Sequence, residues 1–315
     1  MDHETEQGKR ARSLSDALAA MRKGDLSQTR MGRLSDLSRD GARMLAREWM
    51  SLPEAVRIDI VRRCDELSED RVELNFRRVL QVALVDPSPV VRQLAVAGLW
   101  EDDSRDLMDR LLQILRGDES PDVRAEAASA LGRYAQRAVD ASLDDETARV
   151  LRRDLLLAAT SEDIPYVVQR RALESLGPFA EHAEVAATVA EAFNSGDHGL
   201  QCSALYAMGR SLDRRWLPNI LAELESEEAE LRFEAARAAG LLGSADALPL
   251  LLEAARDDDA EVRHAAITAF GQIGGRGAVR ALERLTEDAG EADLELIDAA
   301  LEEVNTLLEP FQPSS

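Results

Sequence analysis

The sequence predicts an all-α protein: a right-handed α-solenoid of about seven two-helix units behind a helical N-terminal cap. Three observations carry this. Six similar segments recur, SPVVRQLAVAGLW at 88–100, SPDVRAEAASALG at 120–132, YVVQRRALESLG at 166–177, GLQCSALYAMG at 199–209, AELRFEAARAAG at 229–240 and AEVRHAAITAFG at 260–271. Aligned on one column, Arg92, Arg124, Gln169, Gln201, Arg232 and Arg263, they lie 32, 45, 32, 31 and 31 residues apart. A fixed period of this length marks stacked supersecondary units. Finally, 45% of the residues are hydrophobic but only 4% aromatic, so the core is built from Leu, Ala and Val.

Residues 1–13 read as a disordered tail, and 309–315 as another. A helical cap is expected over 14–52, with helices near 14–22 and 33–51 covering the open face of the first unit. The repeats then occupy 53–308. A weaker copy, PEAVRIDIVRRCDEL, places Arg57 in the column, and a half-copy, ADLELIDAALEEV, closes the array. About 14 extra residues fall between the second and third listed copies and predict an insertion at 136–160.

The segment itself explains the helix. Val123, Ala127, Ala130 and Leu131 are spaced i, i+4, i+7, i+8 and form one apolar stripe. Alanines on that stripe allow close helix approach. Ser88, Ser120, Asp197 and Asp259 stand where an N-cap belongs, and Gly132 where a left-handed C-cap would. Each glycine is followed by a second amphipathic run, such as DALPLLLEAARDD at 246–258. A helix pair of this kind cannot bury its own apolar face, and stacking buries it.

The D/E-x-V-R-x-x-A-x-x-A-L-G pattern resembles HEAT repeats, in the short form of about 30 residues also called HEAT-like or lyase-type. The resemblance covers roughly 53–308 and implies a solenoid. It implies no particular activity, because one fold hosts many functions. The column residues Arg92, Arg124, Arg232 and Arg263 read as a structural ladder between units, with Asp122, Glu230 and Glu261 as acidic partners.

The net charge of −22 argues against nucleic acid. Residues 1–50 hold 10 basic and 8 acidic side chains, which leaves −24 on residues 51–315. Cys64 and Cys202 are too far apart in helical patterns to suggest a disulfide framework, and both read as small buried side chains. No run of 18 apolar residues is present, and no secretory leader pattern opens the chain. The chain reads as cytoplasmic, without a membrane partner.

Chemistry is sparse. His3, His182, His198 and His264 are scattered, so neither a metal nor another cofactor is expected. GQIGGRG at 271–277 has no strand before it and reads as helix caps. The feature that stands out is a cluster of five of the twelve aromatics, Tyr166, Phe179, Phe193, Tyr206 and Trp216, in the two repeats whose column residue is Gln. Second-helix positions there are apolar, Ala186, Ala190, Phe193, Pro218 and Ala222, between charged positions to either side. Arg210, Arg214 and Arg215 lie beside Trp216. Two readings follow. These side chains fill an irregular joint, or Tyr166, Phe193, Tyr206, Arg210 and Trp216 form a contact surface for a protein or peptide on the concave face. The function expected is a non-catalytic scaffold or adaptor. The alternatives are a HEAT-like enzyme or assembly factor of the lyase or hydroxylase kind and, behind it, a nucleic-acid binder.

Overall fold

The structure, a computed structural model, describes residues 6–140, 142–287 and 290–308. Among the described residues it holds 18 α-helices and no strand. The chain divides into two compact units, residues 1–134 and 135–315.

The first unit opens with α1 (Glu6–Met21), α2 (Gln28–Met31) and α3 (Arg39–Trp49). Thus the first helix begins inside the stretch expected to be disordered, while residues 1–5 lie outside the described ones. Leu14, Leu18, Met21, Met31, Leu34, Leu45 and Trp49 are buried. The helix expected over 33–51 is shorter, and the backbone shows why. Asp36 takes a left-handed φ of 50°, which ends any continuing helix. The Ser38 hydroxyl then accepts from the Gly41 N–H at 3.1 Å and starts α3 afresh.

Next come α4 (Glu54–Asp70), α5 (Arg77–Ala83), α6 (Pro89–Ala97), α7 (Arg105–Gly117) and α8 (Pro121–Val139). Between α5 and α6, Asp86 accepts from Trp49 Nε1 at 2.6 Å, Arg57 Nε at 2.7 Å and Ser88 N at 2.8 Å. Its side chain is 0% exposed. A buried carboxylate needs this many donors, and here they come from α3, α4 and the loop before α6. The stripe of α8 buries Val123, Ala127 and Leu131, with Ala130 half-buried at its edge.

The second unit contains α9 (Asp145–Thr160), α10 (Tyr166–Leu176), α11 (Ala183–Phe193), α12 (His198–Arg210), α13 (Leu217–Glu223), α14 (Ala229–Leu242), α15 (Leu248–Ala254), α16 (Ala260–Ile273), α17 (Gly275–Leu285) and α18 (Glu291–Leu308). The column helices stack in order: α10 on α12, α12 on α14, α14 on α16, α16 on α18. Within the expected insertion at 136–160, helix covers 136–139 and 145–160. The insertion lengthens α8 to 19 residues and α9 to 16. Residues 309–315, expected as a tail, lie outside the described residues.

The aligned glycines have a different role from the one expected. Gly132, Gly209, Gly240 and Gly271 are inside their helices, and Gly177 is right-handed with φ −43°. Gly177, Gly209 and Gly240 are sites of close backbone approach. A Cβ on Gly209 would stand 2.6 Å from Ala238 Cα, and one on Gly240 2.9 Å from Ala269 Cα. A Cβ on Gly177 would stand 2.6 Å from the Ala207 carbonyl oxygen. Only hydrogen fits there. The left-handed termination falls three residues later, where Gly243 (φ 64°) caps α14 and Gly274 (φ 66°) follows α16. Of the expected N-caps, Asp197 accepts from Leu200 N and Asp259 from Glu261 N, both at 2.8 Å. The Ser88 hydroxyl caps nothing and has no partner among the described residues.

Candidate functional site

The column residues set the register of the stacked helices. Arg92 holds Asp118 with two bonds of 2.8 and 2.7 Å and the Asp86 carbonyl at 2.7 Å. Arg232 repeats this on Asp257 at 2.6 and 2.9 Å, with the Ser226 carbonyl at 2.8 Å. Arg263 binds the Asp257 carbonyl at 3.0 Å and Asp293 at 3.4 Å. Arg124 donates to the Leu115 carbonyl at 2.9 Å. The expected acidic partners are therefore corrected. Asp122 is exposed, Glu230 meets His198 instead, and Glu261 lines a groove. For Arg92 and Arg232 the acceptors are loop aspartates six residues before the next column position, where the chain turns and the side chain is free to face back, whereas Asp293 lies in the first turn of α18. The Arg232 guanidinium holds the Asp257 carboxyl below its usual range.

One helical step beyond the column, a second line of side chains runs along each helix at i, i+4 spacing. On α10 it reads Tyr166, Arg170, Glu174. On α12 it is His198, Cys202, Tyr206, Arg210. On α14 it is Phe233, Arg237, Leu241, and on α16 His264, Thr268, Gln272. Because these helices stack directly, the four lines make one face. Ser203, 1% exposed, receives Arg170 Nε at 3.0 Å and donates to Glu174 at 2.8 Å. The Arg237 guanidinium carbon lies 5.0 Å from the Tyr206 ring centre and 5.4 Å from that of Phe233. Cations over aromatic faces gain from the ring quadrupole. Burial, aided by the Glu174 charge, pushes the Glu234 carboxyl up against the pull of Arg237. Burial likewise lifts the Cys202 thiol to about 11, with Glu234 and Glu230 adding to it.

A groove of about 510 Å³ opens on this face. It is lined by Tyr206 and Arg210 of α12, by Phe233, Arg237 and Leu241 of α14, and by Glu261, His264, Ala265, Thr268 and Gln272 of α16. Among the described residues Arg210 forms no ion pair, whereas Arg214 pairs with Asp246 at 3.0 Å and Arg215 with Asp213 at 2.5 Å. Of the five residues singled out from the sequence, Tyr206 and Arg210 meet in the groove. Tyr166 is 46% exposed at the start of α10, its hydroxyl on Asp197. Phe193 ends α11, off the groove. Trp216 is 7% exposed in a short 3-10 turn before α13, with its indole N–H unpartnered among the described residues. The expected surface mixes column-helix residues, Tyr166, Tyr206 and Arg210, with Phe193 of a second helix and Trp216 of the turn before α13, whereas the groove is lined by column helices alone. Phe233 and His264 lie one position beyond a column that reads as structure, and Arg237 lies one helical turn further along the same line, so none of the three stands out in the sequence.

The family model for HEAT repeats matches residues 77–160 and 217–302, just over half of the chain. The chain is a HEAT-repeat protein. Its fold is of the α-solenoid class. Comparison with curated proteins finds none that matches. Among solved structures, this HEAT-repeat chain is similar to the complex of CpcE and CpcF of phycocyanin lyase from Nostoc sp. PCC7120, at 18% identity over 72% of this chain and 94% of that one, TM-score 0.48. It is also similar to YibA of E. coli, at 16% identity over 78% and 96%, TM-score 0.43. Human deoxyhypusine hydroxylase in complex with glycerol is similar at 15% identity over 95% and 98%, TM-score 0.37.

Proposed function

We propose that this protein is a non-catalytic cytoplasmic scaffold that binds a protein or peptide through the groove on α12, α14 and α16. The reading takes its repeats as a right-handed array of seven helix pairs and a half, over 53–308, behind the cap at 14–52. The observation that carries it is Arg237 held between Tyr206 and Phe233, with Arg210, which has no ion pair among the described residues, on the same groove wall. Aromatic side chains and arginine, fixed before a partner arrives, are what interface hot spots are made of. Arg237 is itself paired with Glu234 at 3.1 Å, so in a chain of net charge −22 Arg210 is the groove arginine that suits a peptide carboxylate, with Tyr206 and Phe233 beside it for an apolar side chain.

The test compares two variants against a partner identified by mass spectrometry of the native complex. Tyr206→Ala with Arg210→Ala should weaken that partner at least tenfold, since anchors of this kind contribute about 2 kcal/mol or more apiece. Its melting temperature should hold. Trp216→Ala should do the reverse, lowering the melting temperature and sparing affinity. Unchanged affinity in the groove variant would remove the groove from the interface.

A further inference from the structure

At the other end of the same helix face lies a cluster that the peptide-binding reading does not use. His198 and Cys202 stand four residues apart in the first two turns of α12, so their side chains stack on one face. Glu230, in the first turn of α14, comes from the next repeat. His198 Nε2 lies 2.5 Å from a Glu230 carboxylate oxygen and 3.8 Å from Cys202 Sγ. All three donor atoms fall within 4.8 Å of one another. Elsewhere the fold makes similar ion pairs between neighbouring repeats, Arg152 with Glu184 and Arg214 with Asp246. Those sites have no thiol: Arg152 also meets His182 at 2.6 Å, and Arg214 and Asp246 are both exposed. At His198 the pair closes over a buried thiol.

We propose that His198, Cys202 and Glu230 form a zinc-binding site. The donor set is one imidazole nitrogen, one sulfur and one carboxylate oxygen, the mixture that suits zinc rather than calcium or magnesium. Zinc takes sulfur at about 2.3 Å and nitrogen at about 2.0–2.1 Å, so in a tetrahedral site those two atoms stand roughly 3.6 Å apart. The present 3.8 Å between Sγ and Nε2 already matches. Only the Glu230 carboxylate must draw back, to let the ion between it and the imidazole. Its side chain is 77% exposed and long enough to do so. Binding releases the thiol proton to solvent, the imidazole proton sits on Nδ1 so that Nε2 is free to ligate, and the His198–Glu230 hydrogen bond gives way to two metal bonds. Three protein ligands leave one position for water or an incoming group.

The site also has a structural reason to be firm on one side. Cys202 is 6% exposed and its position on α12 is set by the stack on α14.

Zinc titration of the metal-free full chain, read by competition with a chromophoric chelator, tests the site. Cobalt(II) as a second probe reports a thiolate ligand through its charge-transfer absorption. The expected result is stoichiometric zinc, a cobalt–thiolate band, and a melting temperature that rises with zinc. His198→Ala and Glu230→Gln change partly exposed side chains and leave the fold intact. Each should weaken zinc by more than the roughly 10–100-fold that loss of an outer-shell partner costs. Cys202→Ser should abolish the cobalt band, and Cys64→Ser, a change at a buried thiol on α4, should not. No stoichiometric zinc, or zinc that persists unchanged in His198→Ala and Cys202→Ser, overturns the proposal. Because Tyr206 and Arg210 are left untouched, failure here does not bear on peptide binding in the groove.

Discussion

Two kinds of joint hold the repeats together, and they differ in both partners at once. At Arg57, Arg92 and Arg232 the column arginine meets an aspartate of the next loop, Asp86, Asp118 and Asp257. At Gln169 and Gln201 the corresponding loop positions are Ser195 and Ser226. The loop bond survives the exchange. Asp118 accepts from Ser120 N at 2.9 Å and Asp257 from Asp259 N at 2.9 Å, while Ser195 accepts from Asp197 N at 3.1 Å. Gln169 keeps only the carbonyl half of the arginine's work, on Ser161 and Ile164 at 3.0 and 2.9 Å. So charge has left both sides together, and no buried ion is stranded. The uncharged joints are those beside the His198 cluster and Tyr206, where ties on the other face, Tyr166 to Asp197 and Arg170 to Ser203, do the holding.

The largest test of the difference is Asp86→Ala. It leaves Arg57, 6% exposed, without its counter-charge and frees the Trp49 indole. The expected loss is about 3–5 kcal/mol, the range for breaking a buried pair from one side. Ser195→Ala at an uncharged joint should cost about 1 kcal/mol or less. Urea midpoints of the two variants decide it, and equal losses would erase the distinction.

A middle-sized effect tests what the joints share. Gly209→Ala and Gly240→Ala force a Cβ against the next helix, one at an uncharged joint and one at a charged joint. Overpacking costs about 1–3 kcal/mol, partly offset by the helix preference of alanine over glycine, roughly 1 kcal/mol. Similar net losses in thermal denaturation would show that both joints are equally tight. A harmless Gly209→Ala would mark the uncharged joint as the looser one.

The smallest effect is a gain. Gln201→Arg together with Ser226→Asp rebuilds a charged joint and should add about 0.5–1 kcal/mol, as a partly exposed pair does. Gln201 already reaches Glu223 at 3.4 Å, so Gln201→Arg alone keeps an acidic neighbour and Ser226→Asp alone should add nothing; the coupling between the two changes is what a double-mutant cycle measures. The new aspartate, like Asp257, should titrate below its unfolded value of about 3.9. Its contribution is then present above that pH and fades as the pH falls through the lower folded value. A gain that persisted in acid would come from something other than the pair.

The repeat and the all-helical class are legible because period and apolar spacing are local properties of the sequence. Contacts one period apart are legible in principle as well. His198 and Glu230 are 32 residues apart and Tyr166 and Asp197 are 31, which is the repeat itself read as a distance. What a single helix cannot reveal is which of its faces meets the neighbour. That is why Trp216 reads either as joint filler or as a surface anchor, and the structure buries it. The same limit makes Gly132 read like a terminator when α8 runs on to Val139. The loop aspartates escaped notice for a related reason. They precede the aligned segment, so the alignment that exposed the arginines left out their partners.

The close approach at Gly209 and Gly240 has a consequence for how such a chain can grow. Each of α12, α14 and α16 brings its own glycine, and its own alanine to receive the glycine before it. A duplicated stretch of 31 residues therefore arrives with both halves of the fit, the knob and the socket, already matched to either neighbour. Lengthening by whole periods needs no new contact to be invented, whereas a shorter insertion inside a column helix turns every later side chain about 100° per residue away from its seat. The architecture tolerates copying and resists slipping.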